Sequence, residues 1–211
     1  TEAAEFKTIY HHMSPKSEAY ELFRLQRWFV LREFMKFFQL SIVFFCESSV
    51  LLYDDISRLY EKCWQDKTVL CVHEKNINTS AGYWKYEDVC RFCELIVEEY
   101  RDHLDTLQRV FGHMAQLGAF HGDNDCVLLW KFFHQSNFRD SLTDIIDGAT
   151  FDYDLSSTAG RRNDEFAMEG AVKKLEWRNN QPYATHIANN NQVQFATLHF
   201  SEAVRSLLPS Y

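Results

Sequence analysis

Apolar residues recur at helical spacing through Leu22, Leu25, Phe29, Phe34 and Phe38, which predicts a long helix over roughly 17–39, opened by Ser14-Pro15. Ahead of it, Phe6 to His12 reads as a short strand-like or irregular lead. Residues 41–53 change the pattern: Ile42-Val43-Phe44-Phe45 is an unbroken apolar run, Glu47-Ser48-Ser49 is an acidic, hydroxyl-rich turn, and Val50-Leu51-Leu52 is apolar again. Asp54 and Asp55 open a short helix to about Cys63, with acids at the end the helix dipole favours. Thr68 to His73 reads as a second buried strand, Asn76 to Gly82 as a polar loop, and Lys85 to Phe111 as helical with a break near Asp102. A helix is expected over about 124–134, irregular acidic chain over 136–166, strands over 173–177, 183–187 and 192–199, and a last helix over 201–208. Strands without polar alternation are buried on both faces. The pattern therefore predicts an α/β fold, a central mixed sheet flanked by helices, with Val43–Phe45 and Val69–Val72 as inner strands.

Composition narrows this picture. The 211 residues suit one domain spanning 1–211, and a 46% hydrophobic, 16% aromatic chain has ample material for a core. Only 7 Gly and 3 Pro favour regular elements. A net charge of −8 with no basic run argues against non-specific nucleic-acid binding. No apolar stretch is long enough for a membrane span. Six scattered cysteines and no leader pattern predict reduced thiols and a cytoplasmic location. The Cys90-Arg-Phe-Cys93 spacing lacks the second pair a zinc site needs.

The chemistry starts at the turn. A polar triplet ending an apolar strand is where an open α/β sheet binds its ligand. The stretch from Ser41 to Asp55 resembles the strand and Asp-x-Asp turn of nucleotide-sugar glycosyltransferases with the GT-A fold. That resemblance implies Mn²⁺ or Mg²⁺ on the sugar diphosphate, with Glu47 and Ser49 at the ligand positions; Glu47-Ser48-Ser49 carries one carboxylate where the family has two. Thr197-Leu-His-Phe-Ser-Glu-Ala-Val-Arg205 resembles the family's closing His-Phe-x-x-x-x-Lys segment. It implies that His199 completes the metal shell and that Arg205 binds diphosphate, a role a guanidinium fork suits.

Gly122-Asp123-Asn124-Asp125 resembles the family's Gly-x-x-Asp segment beside the substrates. It implies a donor-side position for Gly122 and an acceptor-orienting or base role for Asp125. Asp123 or Asn124 also suits a helix N-cap there. Gln26-Arg-Trp-Phe-Val-Leu-Arg-Glu-Phe-Met-Lys36 resembles a helix found in a group of bacterial and viral sugar transferases, large-virus proteins that glycosylate capsid among them. Arg27, which shares a helix face with Arg24, is the candidate contact to donor phosphate or sugar. Asn78 and Ser80 are candidates for binding donor-sugar hydroxyls.

These segments occur in the family order over roughly 8–208. The resemblance implies a glycosyltransferase moving a hexose from a UDP-type nucleotide sugar to a hydroxyl of a glycan or glycoprotein, with further domains in a longer parent chain. The closing His-Phe segment points to retention of configuration; Asp125 as base would give inversion. The alternative is a GT-A-like module that binds nucleotide sugar or glycan and has lost turnover, which the single carboxylate favours.

Overall fold

Ser17 starts the longest helix by accepting a hydrogen bond from Tyr20 N–H at 3.4 Å, and Glu18 and Glu21 place negative charge in its first turn. The computed structural model describes residues 1–73, 76–116, 124–136, 138, 140–156, 165–201 and 204–207. In chain order the helices are α1 (Glu2–Phe6), α2 (Glu18–Phe37), α3 (Ile56–Cys63), α4 (Tyr86–Arg101), α5 (Leu104–Gln116) and α6 (Asn124–Gln135). The strands are β1 (Ile42–Cys46), β2 (Val50–Leu52), β3 (Val69–His73), β4 (Asn76–Lys85), β5 (Ala149–Phe151), β6 (Met168–Glu169), β7 (Val172–Lys173), β8 (Leu175–Arg178), β9 (Gln181–Thr185) and β10 (Gln192–His199). The protein is thus a mixed α/β protein, as its sequence pattern predicts. No helix among the described residues is long and apolar enough to cross a membrane. The chain divides into two units: Thr1–Val43 with Trp84–Phe138, and Phe44–Tyr83 with Arg139–Tyr211.

The first unit is helical. α2 buries Leu22, Leu25, Trp28, Phe29 and Met35, and α4 buries Val89, Phe92, Cys93, Ile96 and Tyr100. Trp28 meets Trp84 at 4.8 Å and Phe92 at 5.1 Å, and Phe92 meets Phe132 of α6 at 5.3 Å. A second cluster sets Phe6 of α1 against Phe29 and Tyr100, and beyond Phe6 the predicted lead to His12 is turn and irregular chain. α2 ends with Gln39 at φ 55°; its N–H bonds Lys36 and that of Leu40 bonds Met35, closing the helix with a left-handed residue. Burial pushes the Cys93 thiol up to about 12. The outward face of α2 is apolar at Tyr20, Phe23, Val30, Phe34 and Phe37.

The second unit is built on strands. β1, β4 and β3 form one sheet with β4 in the middle; β10 is the spine of another, ordered β2-β10-β9-β8, with β5 parallel to β10. β1 and β3 are therefore outer strands of a three-stranded sheet, where the sequence pattern predicted inner ones. The predicted polar loop at 76–82 belongs to β4 and pairs with β3 through Cys71↔Asn78 and Leu70↔Gly82, with a register shift between. Thr79 and Ser80 are buried there, so their polarity marks interior hydrogen-bonding positions and not a turn. β5 likewise lies inside the predicted irregular stretch. Leu155, Phe166, Val193, Phe195, Leu198 and Phe200 form the core behind β10.

An aromatic cluster fills the space beside β4: Tyr83 lies 4.7 Å from both Phe44 and Tyr60. Its hydroxyl donates to Ile56 C=O at 2.6 Å. Burial first, then the charges of Asp55 and Cys63, push the Tyr83 phenol far above its ordinary 10.0. The folded state keeps this proton at pH values where unfolded phenols, near 10, have lost it. Stability from this group is complete below about pH 10 and falls as pH rises further. Urea midpoints should drop between about pH 8 and pH 11, and Tyr83→Phe should flatten that drop; an unchanged slope would mean that Tyr83 ionises freely. Phe195→Ala, emptying a position 1% exposed and 5.0 Å from Phe166, should cost about 3–5 kcal/mol. Phe37→Ala on the outer face of α2 should shift stability by no more than about 0.5 kcal/mol.

Candidate functional site

In the second unit, chain pairing gathers residues far apart in sequence. β2 runs antiparallel to β10, which sets Val50 opposite His199, and Phe200 N–H donates to Ser49 C=O at 2.9 Å. Glu47 N–H donates to Ser80 C=O at 2.8 Å, and Val50 N–H to Glu47 C=O at 3.0 Å, so the turn is fastened to β4 on one side and closed on itself. Asn78 completes the group: its Nδ2 lies 3.2 Å from His199 Nδ1. Main-chain bonds thus set Glu47 beside Ser80 and Ser49 beside the end of β10, where Asn78 touches the His199 ring.

The hydrogen bonds settle how His199 is presented. Tyr153 C=O lies 2.6 Å from Asn78 Nδ2 and 2.9 Å from His199 Nδ1. A carbonyl oxygen only accepts, so Asn78 Nδ2 donates to it, and its closer approach to the ring favours the Nδ1–H tautomer of His199. Asn78 Oδ1 accepts Ser80 N–H at 2.8 Å, which fixes the amide's orientation. In that neutral tautomer Nε2 carries the lone pair. A histidine whose other N–H is held by a backbone carbonyl is the arrangement seen around metal-binding imidazoles. Ser80 Oγ is buried with no hydrogen-bond partner among the described residues. Burial first, then the charge of Glu47, raises the Cys46 thiol above its ordinary value, so the strand end carries no reactive thiolate.

These residues suit a hard divalent cation in part. Glu47 offers a carboxylate, Ser49 a hydroxyl and His199 an imidazole nitrogen; Mg²⁺-type ions are commonly held by one or two carboxylates with substrate phosphates filling the rest. Among the described residues no three His, Cys, Asp or Glu side chains converge as a ligand group.

Two further candidates meet in the first unit. Asp125, in the first turn of α6, is 0% exposed; its Oδ2 accepts Arg27 at 2.6 Å and Trp28 Nε1 at 3.4 Å, and its Oδ1 accepts Arg24 at 3.2 Å. Arg24, Arg27 and Trp28 stand on one face of α2, which is why one carboxylate reaches all three. The Arg27 guanidinium also lies 5.2 Å from the Trp28 ring centre. This geometry makes Asp125 the anchor of two arginines; it gives no exposed oxygen for an acceptor hydroxyl. Arg205 is exposed on a 3₁₀ turn over 204–207, which is what the described residues show of the predicted closing helix. Gly122 lies outside the described residues.

The residues that support His199 escaped the sequence reading. Asp152-Tyr153-Asp154 fell in the stretch taken as irregular and acidic. Asp152 Oδ2 accepts His199 main-chain N–H at 3.0 Å, and Asp154 Oδ1 accepts Ser156 N–H at 2.8 Å and Ser201 Oγ–H at 3.0 Å. An Asp-x-Asp spacing flanked by Phe151 and Leu155 was the available signal.

Asp125→Ala would leave the Arg24 and Arg27 guanidiniums buried without their shared carboxylate. We expect a loss of about 3–5 kcal/mol, read as a fall in the urea midpoint; a loss below about 1 kcal/mol would show that this carboxylate does not anchor them. No family model, no curated protein and no solved structure matches this chain.

Proposed function

We propose that the chain is a divalent-cation-assisted glycosyltransferase that moves a hexose from a nucleotide-diphosphate sugar, UDP-linked by our reading, to a hydroxyl of a glycan or glycoprotein. The observation that carries this reading is the meeting of the Glu47-Ser48-Ser49 turn with His199, whose Nδ1 is tied to Tyr153 C=O. Glu47, Ser49 and His199 Nε2 are the groups that would hold Mn²⁺ or Mg²⁺. Bound there, the ion would offset the charge that builds on the departing diphosphate. Arg205 adds an exposed cation for the phosphates, and Asn78 and Ser80 supply polar groups on the donor side. Arg27, held in orientation by Asp125, keeps the donor-contact role that the resemblance implies. Gly122 keeps the donor-side role that the resemblance implies.

A second reading is a binding module without turnover. It is favoured by the single carboxylate of the turn, since one acid and a hydroxyl hold a cation more weakly than two acids. Calorimetric titration with UDP, with and without Mn²⁺, tests what the two readings share: binding should strengthen with Mn²⁺, and absence of binding in both conditions would reject both. Release of UDP from a nucleotide sugar then separates them.

Arg205→Ala should weaken Mn²⁺-supported UDP binding by about 1.5–3 kcal/mol and leave the urea midpoint unchanged, because the residue is exposed. Glu47→Gln should remove the Mn²⁺ dependence of UDP binding; a dependence left intact would place the cation elsewhere.

A further inference from the structure

Lys173, at the end of β7, is 2% exposed and its charge is matched by one carboxylate, Asp152 Oδ1 at 2.6 Å. Its Nζ also donates to Asp154 C=O, and it lies near the rings of Phe166 and Phe195, 6.0 and 5.8 Å from their centres. The two oxygens it grips stand on either side of Tyr153. Between them, Tyr153 C=O receives Asn78 and His199 Nδ1, while the free side of Asp152 receives His199 N–H. One ammonium group therefore pins both flanks of the peptide that orients the His199 ring.

Burying a lysine is costly unless its partners are well placed, and apolar side chains of similar volume commonly serve packing at least as well. Main-chain bonds hold the ends of this stretch: Leu155 N–H donates to His199 C=O at 2.9 Å, and Leu155 C=O accepts Lys173 N–H at 3.0 Å. The lysine charge adds a hold on the two groups flanking Tyr153, the Asp152 carboxylate and the Asp154 carbonyl. A Tyr153 oxygen kept against the ring favours the Nδ1–H tautomer, in which Nε2 carries the lone pair.

We propose that Lys173, acting through Asp152 and the Tyr153 carbonyl, is the positioning residue that locks His199 in its Nδ1–H tautomer and aims Nε2 at the cation and diphosphate site. The use made of Nε2 rests on the function proposed above; the tautomer lock does not.

Long-range ¹H–¹⁵N correlation of the His199 ring, recorded where imidazoles are neutral, reads the tautomer directly. The wild-type protein should show the Nδ1–H pattern. Lys173→Met keeps the volume and removes the charge, and should give a mixture of tautomers with roughly tenfold weaker Mn²⁺–UDP binding, the scale of lost support behind a metal-binding histidine. Because Lys173→Met strands a buried carboxylate and can unfold the unit, Asp152→Asn/Lys173→Met is the companion variant; it removes both charges, keeps an acceptor for His199 N–H, and should fold. It too should lose the single tautomer. A wild-type Nε2–H pattern, or an unchanged Nδ1–H pattern in the folded double variant, would overturn the proposal. A tautomer that responds to Lys173 in a protein that binds no Mn²⁺–UDP would uphold the lock and reject the function assigned to it.

Discussion

Polar groups taken out of water must find partners inside, and that requirement governs the second unit. Ser141 Oγ stands beside Leu70 C=O, Val72 N–H and C=O, and Thr143 Oγ1, tying the 140s to β3. Thr150 reaches back to Thr143 C=O at 2.9 Å. Asp152, Asp154 and Lys173 then carry the network to the end of β10. Apolar packing behind β10 supplies the driving force for burial, but it has no direction. The hydrogen bonds supply the direction, and so decide where His199, Asn78 and the Glu47-Ser48-Ser49 turn come together.

This division also explains which parts of the molecule were legible in the sequence. Helices α2 and α4 bury one apolar stripe each, so a period of 3.6 announces them, and the break at Asp102 falls between α4 and α5. β10 was readable because Val193, Phe195 and Leu198 commit it to the core. β4 was not, because Asn78, Thr79 and Ser80 carry turn chemistry in sequence and become strand only when β3 supplies their main-chain partners. Of the site, Glu47 and His199 were legible as a strand end and a strand terminus. Lys173 was not: lysine beside Lys174 reads as solvated surface, and only the approach of Asp152 from across the fold makes it an interior residue.

The function proposed above depends on main-chain pairing. A cation site assembled from a turn and a distant strand end needs both pieces delivered in register, and the β2–β10 pairing does so through main-chain bonds that tolerate change in the side chains. That tolerance accounts for how Ser49 can stand where the resemblance expects an acid without disturbing the turn. In the proposed site, affinity would rest on Glu47, His199 and the incoming diphosphate.

The Arg24–Arg27–Asp125 cluster carries a different implication, for how this chain can vary by descent. Two guanidiniums share one buried carboxylate, so the three positions are unequal: either arginine can change while the other still pairs with Asp125, whereas loss of Asp125 removes a partner from both. Variation by descent should therefore reach positions 24 and 27 before it reaches position 125.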